Sequence, residues 1–227
     1  MQKRGKKEVF KIYLFRHGQS YFNKAHIFTG WKDSKLTPLG IQQAKKIGKK
    51  LKKKHINAAF CSTLSRSINT LRQVTKLHPE CHIIIEDKRL LERSYGDLEG
   101  TSHHIFIHRK GTDDYKTLLH WHKISHLHGK ELKEFEEKMG EAELRIIRRS
   151  YDVRAPHGES VKDVEKRVKP FIKDLISFIK KNRVNVAISA SGNSMRPIRR
   201  YFEHASINQM MSWEMPFDDY FEYEIRA

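Results

Sequence analysis

At 227 residues the chain is long enough to bury a sizeable core, and 38% hydrophobic residues suit a globular protein rather than a disordered one. No run of 18 apolar residues exists, so no membrane span is expected, and the basic start MQKRGKKEVF has no apolar segment behind it, so no secretory signal is expected. The formal net charge of +18, from 45 Lys+Arg against 27 Asp+Glu, attracts anions of any kind, yet no zinc-finger spacing, RNP signature or aromatic-basic interleaving points to nucleic acid.

Short β-branched and aromatic runs alternate with helical patterns along the chain. VFKIYLF (9–15) predicts a first strand that runs straight into Arg16, His17 and Gly18. A helix is expected from Thr37 to about Lys54, with Thr37 as N-cap and Pro38 at its first position. Its lysine cluster KKIGKKLKKKH (45–55) reads as one solvated face. AAFCS (58–62) predicts a second strand, Thr63 to Lys76 a second helix, and HIIIE (82–86) a third strand. From Asp97 to about His157 the pattern turns polar, His-rich and only weakly helical, which reads as an inserted cap. Helix returns over Ser160–Lys181, followed by strand VNVAISA (184–190), a helix from about Ser194, and a last strand YFEYEI (220–225). Cys61 and Cys81 match no metal or redox spacing and read as free thiols in a reducing compartment, which fits a cytoplasmic protein.

The order implies one α/β domain over residues 1–227, three-layer α/β/α, with a mostly parallel central sheet and a helical/loop cap insertion at about 97–157. In an open α/β sheet, ligands bind beyond the carboxyl ends of the strands. Those ends here carry Arg16-His17-Gly18, Ser62-Thr63 and Ser191-Gly192-Asn193. A histidine imidazole can act as a nucleophile that forms a covalent intermediate. An arginine beside it offers a planar fork that matches phosphate oxygens, and a glycine after it lets backbone approach a ligand closely.

RHGQSYFN (16–23), FTGW (28–31), LTPLGIQQA (36–44), STLSRSINT (62–70), LLERSYGDLEG (90–100), RRSYD (148–152), HGES (157–160) and SGNSMR (191–196) follow one another in that order. The series resembles the histidine phosphatase superfamily from about Val9 to Ile225. FTGW, ERSYGDLEG and RRSYD are most similar to its cofactor-dependent phosphoglycerate mutase branch. The resemblance implies His17 as the phosphohistidine nucleophile, Arg16 and Arg66 as the pair holding the transferring phosphoryl group, and Glu92 as general acid and base. It implies substrate contacts at Asn23, Thr29 and Gly30, and a grip on the carboxylate and second phosphate by Arg93, Tyr95, Arg148 and Arg149. Gly192 and Asn193 match a phosphate-contacting turn at a helix start. The implied substrate is a small phosphorylated carboxylic acid, 3-phosphoglycerate or 2-phosphoglycerate, with 2,3-bisphosphoglycerate as phosphoryl primer and no metal. Read without the motif, Arg66 is equally a helix-surface cation, and Glu92 beside Arg93 a surface ion pair.

Three departures stand against the pattern. The family reads His-Gly-Asn-Ser where this chain has Ser191-Gly192-Asn193-Ser194, so a neutral hydroxyl replaces an imidazolium beside the phosphoryl group. That leaves three readings: a member with slowed turnover, a site changed to trap a complex, or a protein that keeps the pocket for binding. The chain ends two residues after its last strand, without the tail that closes many mutase sites, so a larger phosphatase share is expected. His103 falls where the mutases place a lysine. The run His120, His122, His126 and His128 lacks the glutamate of a metalloprotease motif and reads as solvent-facing cap.

Overall fold

Five strands, β1 (Val9–Arg16), β2 (Ala58–Cys61), β3 (Ile83–Glu86), β4 (Val186–Ala190) and β5 (Tyr220–Arg226), form one sheet in the order β3-β2-β4-β1-β5. The computed structural model describes residues 8–226, so the basic start at 1–7 and the final Ala227 lie outside the described residues. β3, β2, β4 and β1 pair in parallel, while β5 closes the β1 edge antiparallel, with Tyr13 opposite Glu222. All five residues of β4 are buried, as expected of a parallel strand covered on both faces.

The period-two alternation of β1 sorts its side chains between two helical layers. Ile12 and Leu14 pack with Val168, Phe171 and Leu175 of α6 (Val161–Asn182) and with Met195 and Ile198 of α7 (Gly192–Glu203). Tyr13 and Phe15 pack with Ile47 and Leu51 of α2 (Pro38–Leu51) and with Leu71 and Val74 of α3 (Ser65–Thr75). This is the α/β/α arrangement expected from the sequence. The Thr37 hydroxyl accepts from the Gly40 N–H at 3.0 Å and Pro38 opens α2, as the N-cap signal implied. α3 starts at Ser65, two residues later than expected, with Leu64, which has no side-chain acceptor, at its cap position. α7 starts earlier than expected, at Gly192, with Ser191 at the cap position. Between β1 and α2 lies a single helical turn, α1 (Tyr21–Lys24).

Two expectations are corrected. The segment read as weakly helical forms two long helices, α4 (His103–His120) and α5 (Gly129–Arg149). They cross antiparallel through glycines. A Cβ on Gly111 would lie 1.9 Å from the Glu136 carbonyl oxygen, and one on Gly140 would lie 2.0 Å from that of Ile107. Backbone packed on backbone needs no broad apolar stripe, and only Phe106, Gly111 and Tyr115 of α4 and Gly140 of α5 are buried. The lysine run is likewise not merely solvated. Lys46, Lys50 and Lys54, four residues apart on one face of the helix and its C-terminal turn, pair with Asp218, Asp219 and Glu222 at 2.6, 2.8 and 2.9 Å. A short helix, α8 (Ile207–Ser212), precedes the acidic stretch that meets them. No helix among the described residues is long and apolar enough to cross a membrane.

Candidate active site

The β1 and β4 register pairs Arg16 with Ala190, and the His17 N–H extends the ladder by donating to the Ala190 carbonyl at 3.0 Å. His17 and Ser191 therefore leave the sheet side by side. A cavity of about 370 Å³ opens at this end, and Arg16, His17, Arg66 and Glu92 all line it. Gly18 plays a different part from the one expected. A Cβ there would lie 2.1 Å from the Gly40 carbonyl oxygen, so its bareness seats the His17 loop on the start of α2 rather than on a ligand.

His17 is buried, and its protonation pattern follows from its partners. Its Nδ1 lies 2.8 Å from the Gly18 carbonyl oxygen, which can only accept, so Nδ1 carries the proton. Arg66 Nε donates to His17 Nε2 at 3.2 Å, so the Nε2 lone pair faces the guanidinium. Burial, then the charges of Arg66 and Arg16, hold the His17 pKa well below the usual histidine value. The ring is a neutral imidazole whose Nε2 lone pair accepts from Arg66.

Arg66 is fully buried, which removes the surface-cation reading. Its NH1 and NH2 donate to the carbonyls of Lys32 at 3.0 Å and Gly30 at 2.8 Å. Gly30 thus reaches the site through Arg66 and does not itself line the cavity. Arg16 donates from NH1 to the Met215 carbonyl at 3.1 Å, while its buried Nε has no partner among the described residues. Burial brings its pKa down to about 10, still charged at neutral pH.

Glu92 and Arg93 are buried, and the Glu92 carboxylate is taken up by backbone N–H groups, so they are no surface ion pair. Glu92 Oε1 accepts from the Arg93 N–H at 2.7 Å and the Asn193 N–H at 3.3 Å, which places the carboxylate at the start of α7. Trp31 Nε1 and Arg167 NH2 both donate to the Glu92 carbonyl, fixing the backbone beneath it. Arg93 does not line the cavity. It stacks over Tyr95, with the guanidinium carbon 4.4 Å from the ring centroid, and donates to the Ile147 carbonyl near the end of α5. That carbonyl belongs to the last turn of the helix, where a cation is favourable, so Arg93 anchors the helix end that carries Arg148 and Arg149.

Asn23, Thr29, Tyr95, His103, Arg148, Arg149, Gly192 and Asn193 all line the cavity. The Ser20 N–H donates to Asn23 Oδ1 at 3.1 Å, which fixes the amide and leaves its NH₂ group as the donor end. The Thr29 hydroxyl donates to the Ile27 carbonyl at 3.3 Å. His103 packs edge-on against Phe28, and burial, then Arg148 and His26, bring its pKa to about 4. It is therefore neutral at physiological pH. Ser191 lies outside the lining and is fully buried, and its hydroxyl has no partner among the described residues.

Sequence reasoning missed the far wall. Arg196, Glu214, Met215 and Phe217 line the cavity as well. Arg196 was within sight, at the end of SGNSMR. Its NH2 donates to the Trp213 carbonyl at 2.8 Å, holding the 213–219 segment in place. Glu214 pairs with Arg149 NH2 at 3.0 Å, and Phe217 stacks on Arg16. Among the described residues no group of three or more His, Cys, Asp or Glu side chains is placed to hold a metal ion.

Comparison with known proteins gives a consistent answer. The model of the histidine phosphatase superfamily (branch 1) matches residues 12–129 and 121–223. A 2,3-bisphosphoglycerate-dependent phosphoglycerate mutase of Chlamydia caviae is 35% identical over 210 residues, covering 90% of this chain and 89% of that protein. Among solved structures, a phosphoglycerate mutase from Bacillus anthracis superposes with a TM-score of 0.66 at 20% identity, covering 97% of this chain and 92% of its own. A mycobacterial glucosyl-3-phosphoglycerate phosphatase superposes with a TM-score of 0.69 at 18% identity, covering 96% and 91%. At these identities the two structures speak to the fold.

Proposed function

The chain belongs to the histidine phosphatase superfamily, and from that premise we propose that it is a phosphoglycerate mutase interconverting 3-phosphoglycerate and 2-phosphoglycerate through a phosphohistidine at His17. The observation that carries this reading is the neutral His17 imidazole. Its Nδ1–H is committed to Gly18 and its Nε2 faces Arg66 in a cavity that also holds Glu92.

The cavity is lined by five arginines, Arg16, Arg66, Arg148, Arg149 and Arg196, against two carboxylates, Glu92 and Glu214. That balance, with the unpartnered buried Arg16 Nε, fits a small polyanion. When bound, 2,3-bisphosphoglycerate supplies the phosphoryl group that primes the enzyme. The chain's own residues do the remaining work. His17 Nε2 accepts and returns the phosphoryl group, and no proton need leave it first, because Nδ1 keeps the only one. Arg66 and Arg16 stabilise the charge on the equatorial oxygens, and backbone carbonyls hold their outer nitrogens in place. The Arg66 Nε–H, released from His17 Nε2 as the P–N bond forms, becomes free to donate to a phosphoryl oxygen. Glu92 takes the proton of the attacking substrate hydroxyl and gives it back to the leaving oxygen. Arg148 and Arg149 hold the substrate's carboxylate or second phosphate, and Asn23 offers its amide to a phosphate oxygen.

Serine at position 191 supplies no charge to the transferring group, so turnover is slowed relative to a site with an imidazolium there. A coupled assay with enolase tests the proposal. Conversion of 3-phosphoglycerate that depends on 2,3-bisphosphoglycerate is expected. Phosphate release that outpaces isomerisation would instead assign the chain to the phosphatases of the same superfamily.

A further inference from the structure

The segment 213–219, between α8 and β5, is bound by cations along its length. Arg196 NH2 donates to the Trp213 carbonyl at 2.8 Å and Arg149 NH2 to Glu214 at 3.0 Å. Arg16 NH1 donates to the Met215 carbonyl at 3.1 Å, and Lys46 and Lys50 grip Asp218 and Asp219 at 2.6 and 2.8 Å. Besides Glu214 and Met215, this strap presents a phenyl ring to the cavity. The Phe217 centroid lies 3.9 Å from the Arg16 guanidinium carbon and 6.4 Å from the centre of the His17 ring. Neither proton transfer nor anion binding has a use for that ring. Stacked on the guanidinium, it keeps water off one face of a cation whose charge is aimed at the phosphoryl site. It fills part of the cavity wall that water would otherwise occupy.

We propose that Phe217 sets the fate of the phosphoryl group on His17, transfer to a substrate hydroxyl or loss to water, and that Lys46 and Lys50 hold the ring in place through Asp218 and Asp219. The inference rests on the phosphohistidine reading above. In the step Phe217 suppresses, a water oxygen bonds to phosphorus and the P–Nε2 bond breaks. Its electron pair returns to Nε2, and the water proton passes to Glu92, leaving inorganic phosphate. Excluding water from a reactive intermediate is a general means of favouring transfer over hydrolysis.

The test measures the lifetime of phospho-His17 by intact mass after loading with 2,3-bisphosphoglycerate, and separately with phosphoramidate as a chemical donor. Phe217→Ala should shorten that lifetime about tenfold, the change produced by taking about 1.4 kcal/mol off the hydrolysis barrier. Phe217→Leu, which keeps an apolar bulk, should restore most of it. Asp218→Asn with Asp219→Asn removes two exposed ion pairs and keeps an amide oxygen to accept from the Tyr220 N–H, so that variant should fold whatever Phe217→Ala does. It should shorten the lifetime several-fold by loosening the strap. Equal lifetimes in the wild type and the folded variants would overturn the role of Phe217 and leave the phosphohistidine reading standing. Absence of any adduct from either donor would overturn both.

Discussion

Replacing Ser191 with histidine puts the largest departure from the family pattern to a direct test. The serine hydroxyl has no full hydrogen bond among the described residues but stands in a capping-box arrangement with the start of α7, so its loss costs at most about 1 kcal/mol. The backbone bond from the Ser191 N–H to Ser194 Oγ, at 3.2 Å, does not depend on the side chain. The larger cost of Ser191→His is steric, because the position is fully buried. Inserting a ring there should destabilise the protein by about 1–3 kcal/mol. For a protein of this length each kcal/mol is worth roughly 2–4 °C, so a melting temperature about 2–12 °C lower is expected. The gain is a charge-assisted donor beside the transferring phosphoryl group, worth about 100- to 1000-fold in rate. Rapid-quench measurement of transfer from phospho-His17 to 3-phosphoglycerate, paired with a thermal melt, reads both quantities. A folded variant with the expected fall in stability and an unchanged transfer rate would refute the argument that Ser191 limits turnover.

Other consequences follow from the same geometry. Glu92→Gln keeps an acceptor for the Arg93 and Asn193 N–H groups but cannot carry the proton, so transfer to a hydroxyl should slow about 100- to 10,000-fold by rapid quench. Glu214→Gln removes an exposed ion pair of little energetic value and frees Arg149, so KM for phosphoglycerate should fall a few-fold while stability stays within about 0.5 kcal/mol. His17 and His103 have pKa values depressed in the folded protein, so the unfolded chain binds protons that the folded one does not. Stability contributed by their neutral forms is fully present above the unfolded value of about 6.5 and falls as pH drops from there towards 4. A melt series across that window should show the decline, with a shallower slope in His103→Gln. Loading of His17 should keep its rate down to about pH 6, since the imidazole is already neutral there.

Much of this was written in the local sequence. Strand ends that carry Arg16-His17 and Ser191-Gly192 are readable because a hydrophobic run stops at a polar turn, and the parallel sheet then brings those ends together. The first cap helix is obscured because Gly111 lets backbone meet backbone, so its apolar periodicity is thin. α5 does space Leu132, Phe135 and Met139 at helical intervals, within a run dominated by charge. The strap left no local mark at all. Arg16 and Arg196 recognise it through the carbonyls of Met215 and Trp213, which every residue possesses, and Arg149 meets Glu214 across 65 positions. ERSY implies a substrate contact for Arg93. The structure adds a bond from its NH2 to the Ile147 carbonyl at the end of α5, visible only once the fold brings Ile147 near, and leaves Nε and NH1 without partners among the described residues.

The central claim is that His17 carries the phosphoryl group, and intact mass spectrometry after incubation with 2,3-bisphosphoglycerate tests it most directly. A single phosphoryl adduct, acid-labile, mapping to His17 and absent from His17→Ala, is expected. An unmodified wild-type mass, or an adduct that persists in His17→Ala, would contradict it.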